Sequence, residues 1–366
     1  MTGLKAALLI SLAMPSADIA PAQPDAYGFT KGQRAVDLGE PPAHVDSHRA
    51  ADCGRCHERA FGQWQKSRHA LAWSNEVFQQ GYRLEPQRFC IHCHAPAARQ
   101  YEEIKTAKRR GYEVSPDSFA DEGVTCAVCH VRDGEVLSPN DASAADHPIK
   151  ATASLKSPEF CASCHQFNFH QIENGKVIFT DEPMQNTYEE WRAYVAAGGE
   201  GTCQSCHMPK GEHRFNGAHD RDLLRRSLDI QLQSEGATVV LQLSSVGVGH
   251  DFPTGDLFRH LTVEVRVGDG DFKKVAFLGK RYEFVQRKGE PGRRKRLVED
   301  TSLKPFRAVR IALPTGTRVY RVRYHYGEER HELIGDVPFS KLVAVIAEGT
   351  CDDAAKAGAG RAAGLP

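Results

Sequence analysis

Ten of the eleven cysteines in this 366-residue chain fall in five copies of one short pattern: CGRCH (Cys53, Cys56, His57), CIHCH (Cys90, Cys93, His94), CAVCH (Cys126, Cys129, His130), CASCH (Cys161, Cys164, His165) and CQSCH (Cys203, Cys206, His207). Every pair is followed directly by histidine, although the chain has only 17 histidines. A CxxC pair alone could hold zinc or form a redox disulfide. Neither zinc knuckles nor disulfide frameworks require histidine after each pair. Two thiols three positions apart sit on one side of a helical turn, and the next residue projects beyond them. That geometry suits covalent haem attachment: the thiols add to the two vinyl groups of one haem, and the histidine becomes the proximal iron ligand. The pattern predicts five haem c groups, bound through these ten cysteines and the proximal ligands His57, His94, His130, His165 and His207.

The N-terminus fits that chemistry. MTGLKAALLISLAMPSADIAPA has Lys5, an apolar run from Ala6 to Met14 and a small-residue site at Ala20-Pro21-Ala22. Residues 1–22 therefore read as a secretory signal, too short to remain as a membrane span. The expected location is periplasmic or extracellular, with no transmembrane helix after signal removal. Thioether bonds would occupy cysteines that otherwise pair in an oxidising compartment. Cys351 is left over and reads as an inert or tail thiol. Acidic and basic residues balance at 47 each, so no nucleic-acid or membrane-surface signature exists. Haem propionates would make the loaded protein more acidic. The basic run Arg293 to Arg296 reads as a solvated loop, with docking of an acidic redox partner as a secondary reading.

The chain divides near Ser227. After an N-terminal extension (23–47), all five motifs lie in residues 48–227, their proximal histidines 35 to 42 residues apart. This spacing suggests one haem per short helical unit, with a core made mostly of porphyrin. Pro96 to Arg110 and Asn186 to Ala197 read as helices, the second opened by an Asn186/Glu189 capping box. In residues 228–350 the period changes to two. LDIQLQ, ATVVLQLSS, LTVEVRV, KKVAFLGKRYEFV, RAVRIAL, TRVYRVRYHY and KLVAVIAE alternate apolar with polar residues, which predicts an antiparallel β-sandwich or barrel. Residues 351–366 read as a flexible tail. The expected fold class is α+β: a mostly helical and loop-built multihaem domain followed by an antiparallel β-sandwich.

What fills the second face of each iron determines function. Methionine is nearly excluded, since Met1 and Met14 belong to the signal and Met208 follows a proximal histidine, leaving Met184. Bis-histidine ligation at low potential is expected instead. The candidates are His69 in WQKSRHALAW, His147 in AADHPI, His213 and His219 in GEHRFNGAHD, and His250 in VGVGHDFPTG. His213 and His219 lie too near their own motif to fold across that haem, so they are expected to cap neighbouring haems, with Asp220 orienting His219. His250 would be donated by the β domain. His48 and His170 are reserves, whereas His44, His92, His260, His325 and His331 read as ordinary.

The run CGRCHERAFGQWQKSRHALA resembles the first haem segment of multihaem cytochromes of the cytochrome c-554 type, with His69 at a distal-ligand position. TYEEWRAYVAAGGEGTCQSCHMPKGEHRFNGAHD resembles the last haem segment of related cytochromes, and GVGHDFPTG their following β region. The resemblance runs from about Ala51 to about Phe258. It implies an exported electron-transfer protein with closely stacked haems and redox partner proteins as donor and acceptor. This chain has five motifs where the type member has four. An alternative is a reductase of a small nitrogen or sulfur oxyanion, which needs one five-coordinate haem and nearby groups to bind and protonate the anion. No motif carries the lysine that marks the catalytic haem of pentahaem nitrite reductases, and the distal candidates suffice for five irons. Electron transfer without catalysis is therefore the expectation, with oligomer or filament formation left open. A third reading makes the sandwich a docking module for an outer-surface complex.

Overall fold

A computed structural model describes residues 35–108, 118–140, 147–173, 176–286, 294–327 and 337–351. The signal segment, most of the tail and His331 lie outside the described residues.

Short helices carry the attachment motifs. Helix α1 (Ala50–Gly54) opens the first motif and α2 (Glu58–Trp64) follows it. After α3 (Glu76–Leu84), the second motif ends α4 (Arg88–His94). The helix expected from Pro96 is α5 (Ala98–Lys108). The third, fourth and fifth motifs form α6 (Cys126–His130), the end of α7 (Pro158–His165) and α9 (Cys203–His207). Four of the five CxxCH motifs are thus one helical turn or the last turn of a helix, which places both thiols and the imidazole on one side, while the first runs from the end of α1 through a turn to His57 before α2. Helix α8 (Thr187–Ala196) lies as expected, but its capping box does not form. Asn186 Oδ1 accepts from Gln166 Nε2 instead, and Glu189 pairs with Arg192.

Two features of this half were not expected. Strands β1 (Val131–Arg132), β2 (Glu135–Ser138) and β3 (Ile149–Ala151) form a small sheet, and β4 (Gln166–Glu173) pairs with β5 (Lys176–Asn186) as a long antiparallel hairpin. Apolar packing is split into three small clusters, around Phe119 and Val128, around Trp73 and Ile91, and around Trp64 and Ala70. No single apolar core joins them, because a large cavity lies between.

The C-terminal half follows the period-two pattern. After α10 (Arg221–Arg226), strands β6 (Leu228–Glu235), β7 (Thr238–Ser245) and β11 (Ala308–Ala312) form one sheet in the order β11-β7-β6. The other, ordered β10-β9-β8-β12-β13, contains β8 (His260–Val267), β9 (Phe272–Val285), β10 (Arg294–Asp300), β12 (Thr317–His325) and β13 (Val343–Thr350). Alternate residues point inward: Leu241 and Leu243 meet Leu261, Val263, Val265, Val322, Tyr324 and Ile346 in one core. Strand β10 corrects the loop reading of the basic run: Arg294 to Arg296 pair with β9 across an antiparallel ladder. Cys351 is a buried member of the sandwich core, not a tail thiol.

The sandwich docks on α8 and the hairpin. Glu190 of α8 receives Lys280 of β9 and the Thr254 hydroxyl, the latter at 2.5 Å. Phe169 of β4 packs edge-on against Tyr282, and Tyr194 stacks on Phe306 with ring centres 5.2 Å apart.

Candidate haem centres

All five motifs open onto a cavity of about 2790 Å³ between the helices and the near edge of the sandwich, lined by Cys53, Cys90, Cys126, Cys161, Cys203 and their partner thiols. A single small-molecule pocket spans roughly 300–1,000 Å³, so the space suits several large planar groups. No disulfide joins any of the cysteines among the described residues. Among the described residues no three His, Cys, Asp or Glu side chains converge as a metal cluster would. The donor set therefore fits haem attachment and not zinc.

Histidines from distant parts of the chain face four of the five proximal ligands. Ring centres lie 6.2 Å apart for His57 and His147, 6.0 Å for His130 and His213, 6.3 Å for His69 and His165, and 6.2 Å for His207 and His250. Two imidazoles held trans on one metal at about 2.0 Å per metal–nitrogen bond have ring centres about 6 Å apart. Each pair leaves a gap sized for one iron.

Four of the rings have Nδ1 fixed by backbone. Nδ1 of His94 donates to Ala72 O (2.7 Å), that of His130 to Leu137 O (2.9 Å), that of His207 to Asn216 O (2.6 Å) and that of His250 to Asp251 O (2.8 Å). A proton held on Nδ1 leaves Nε2 unprotonated and aimed at the metal. Burial also disfavours the charged form of three rings around the cavity, His69, His165 and His250. It lowers the pKa of His69 to about 4, with His207 adding to the effect, and that of His165 to about 3, with His69 and other cationic neighbours adding. For His250, burial against a weaker opposing bond to Asp251 gives about 4.

Two of the facing histidines, His213 and His69, are held by contacts of their own backbone. His213 donates its backbone N–H to Gln63 Oε1 of α2, and the neighbouring Glu212 pairs with Arg59. His69 sits on the segment after α2, where its carbonyl accepts from Val124 N. The Trp64 indole donates to Val124 O, and Gln100, fully buried, donates to Phe119 O and Gly123 O. Gly123 has φ +60°, and a Cβ there would lie 2.6 Å from His69 O. A Gly123→Ala variant is expected to lose about 1–3 kcal/mol in denaturant unfolding, because backbone must shift on both sides of a strained position. It should also weaken the His69/His165 centre, read as a high-spin increment in the optical spectrum.

His94 differs. Its ring stacks on Phe78 at 3.6 Å and 7°, and no histidine ring faces it among the described residues. His219, expected as a fifth distal ligand, stacks instead on Tyr326 (4.4 Å, 11°), and Asp220 caps α10 through the N–H groups of Asp222 and Leu223 rather than orienting His219. The reserves lie elsewhere. His170 packs 4.2 Å from Phe89 with Nδ1 unpartnered, and His48 is buried with Nε2 unpartnered. His260 and His325 stack together on β8 and β12.

The motifs also approach one another. The thiols of Cys53 and Cys126, of Cys93 and Cys164, and of Cys161 and Cys203 lie within hydrogen-bond reach, and Cys129 is close to Cys164 and Cys161. Phe215 bridges His69 (4.3 Å) and His213 (6.0 Å). The third motif thus adjoins the first and fourth, and the fourth also adjoins the second and fifth. Sequence order is not spatial order.

Repeated CxxCH turns around one cavity, with imidazoles spaced to hold iron between them, define a multihaem c-type cytochrome. Residues 52–131 match the family described as cytochrome c554 and c-prime. The crystal structure of a penta-heme cytochrome c552 from Thermochromatium tepidum is similar with a TM-score of 0.61 and 19% identity, covering 84% of this chain and 100% of that one. At that identity the likeness is one of fold. A superoxide reductase in the oxidized state aligns at 14% identity over 34% of this chain and 86% of that one, with a TM-score of 0.20, and carries no argument. No curated protein matches the chain.

Proposed function

We propose that the chain conducts electrons through five covalently attached haems, four of them with histidine on both faces. The pairs at 6.0–6.3 Å carry this reading: His57/His147, His130/His213, His165/His69 and His207/His250. When bound, each haem iron takes up and releases one electron. The protein's residues hold the irons at fixed spacing, keep the ligands neutral and shield the middle of the route. Paired imidazoles with no methionine favour low potentials.

The neighbouring thiols support a route through the first, third, fourth and fifth motifs in that order, with the second branching from the fourth. The first and fifth motifs are the more exposed, with Cys56, His57 and Cys206 open to solvent, whereas Ala127 and Val128 of the third are buried. Electrons would enter and leave through the exposed ends, to separate donor and acceptor proteins. The signal-like first residues and haem c chemistry support a periplasmic or extracellular location, and no described helix is long and apolar enough to cross a membrane.

A second reading has one observation in its favour. His94 lacks a facing histidine among the described residues, which leaves its iron a free face for a small nitrogen or sulfur oxyanion. A reductive spectroelectrochemical titration tests both readings. Five electrons taken up per chain, with no spectral change on adding nitrite or hydroxylamine, fit conduction alone. Fewer than five would sink the pentahaem reading, and turnover of an added oxyanion would make the second reading primary.

A further inference from the structure

Phe215 has φ +49°, a left-handed backbone that a bulky side chain adopts only where its surroundings hold it there. Its neighbours in the chain supply the hold. The His213 N–H donates to Gln63 Oε1 at 2.8 Å, and Asn216 O accepts from His207 Nδ1 at 2.6 Å. The turn between these two anchors packs the Phe215 ring against the cluster of Ala50, Trp64 and Ala70, beside which Cys126 of the third motif also packs. There the ring meets that of His69 edge-on, with centres 4.3 Å apart at 62°. It also stands perpendicular to His213, with centres 6.0 Å apart at 90°.

His69 and His213 belong to different centres. His69 faces His165 of the fourth motif with the two rings tilted by 49°, and His213 faces His130 of the third with a tilt of 36°. An imidazole on a metal can still rotate about the metal–nitrogen bond, so its plane is set by what the ring touches and donates to. An aromatic edge against an imidazole restricts that rotation, because edge-to-face contact is favoured over neighbouring angles. For His207 the same turn supplies the restraint as a carbonyl acceptor. Glycine is the residue that takes a positive φ freely, and a side chain that only filled space would not require this backbone.

We propose that Phe215 is a positioning residue shared by two irons: its ring fixes the imidazole planes of His69 and His213, while the adjacent Asn216 carbonyl fixes that of His207. One short turn thereby orients a ligand in each of the third, fourth and fifth centres, which are consecutive on the proposed route. The angle between the two rings at an iron tunes its ferric state. The proposal rests on the ligand pairs assigned above.

Full-length holoprotein carrying Phe215→Gly, Phe215→Leu or the conservative Phe215→Tyr tests it, with haems counted per chain and electron paramagnetic resonance recorded on the oxidised protein. Glycine removes the ring but accepts the left-handed backbone, so the bond from His207 to Asn216 O should survive. The expected result is five haems in every variant and altered g values in two of the low-spin signals with Phe215→Gly and Phe215→Leu. The other signals should stay unchanged, and Phe215→Tyr should give a native spectrum. Midpoint potentials of the same two centres should move with their g values. Native spectra from fully loaded Phe215→Gly and Phe215→Leu would overturn the proposal. So would a change confined to one centre or spread over all of them, or haem loss from both variants, since a positioning role leaves thioether attachment intact. Fewer than four low-spin centres in the native protein would instead mean that the ligand pairs themselves are wrong.

Discussion

Replacing His250 by alanine is expected to convert one low-spin ferric centre per chain to high spin, with the other four centres unchanged. His250 is the β domain's contribution to the haem region. It lies 6.2 Å from His207 with the two rings nearly parallel at 7°. Its Nδ1 proton is committed to Asp251 O, so Nε2 can serve only the cavity side. Alanine leaves His207 as the single protein ligand of its iron. His250→Met should keep six ligands while moving that centre to higher potential, because a thioether opposite histidine favours the reduced iron. Electron paramagnetic resonance and redox titration of the two variants separate loss of a ligand from loss of folding. An unchanged spin count in His250→Ala would remove His250 from the ligand set.

The second large effect is expected where the sandwich meets α8. Glu190 and Asp251 have side chains only 4% and 7% exposed, and Lys280 pairs with both, at 3.4 Å to Asp251. Lys304 completes the network at 2.5 Å from Asp251 and 2.6 Å from Asp300. Three carboxylates thus share two ammonium groups, and Asp251 is the residue after His250. Lys280→Met should destabilise the protein by about 3–5 kcal/mol, the usual penalty for stranding a buried charge. Adding Glu190→Gln should recover part of that loss, since the amide keeps the shape without the charge. Denaturant unfolding followed by far-ultraviolet circular dichroism measures the loss, and the haem absorption band shows whether the His207/His250 centre loosens with it. A single variant within 1 kcal/mol of native would show that the network contributes little.

These two predictions rest on features of unequal legibility. The attachment motifs were plain in sequence because each is a local pattern set by one helical turn. The sandwich was plain because its strands alternate cleanly, as Leu261, Val263 and Val265 do against the core. Strand β10 was hidden by its charge: Arg294, Lys295 and Arg296 look like a loop, yet they sit on an edge strand where charged side chains are tolerated. The β4–β5 hairpin was hidden by Pro183 and by polar residues that blur its alternation, and its ladder carries two register shifts. Cys351 reads in sequence as an inert or tail thiol because an Ala/Gly-rich run follows it at once, whereas it closes the sandwich core.

Ligand pairing could not be read from spacing. His147 faces the first motif's His57, although it follows the third motif, and His69 faces His165 from the far side of the second and third. Such pairs are set by how short helices pack around the cavity, which leaves no periodic trace in sequence. His219 shows the opposite hazard. It lies in the same histidine-rich run as His213 but stacks on Tyr326 instead of facing a proximal histidine.

The most direct measurement is electron paramagnetic resonance of the fully oxidised protein, with haems counted chemically and spins integrated per chain. The structure predicts four low-spin centres, from the four histidine pairs, and one high-spin centre on His94. Five low-spin centres would contradict it by requiring a further ligand on the His94 iron. Fewer than four would break the proposed pairs and with them the conduit.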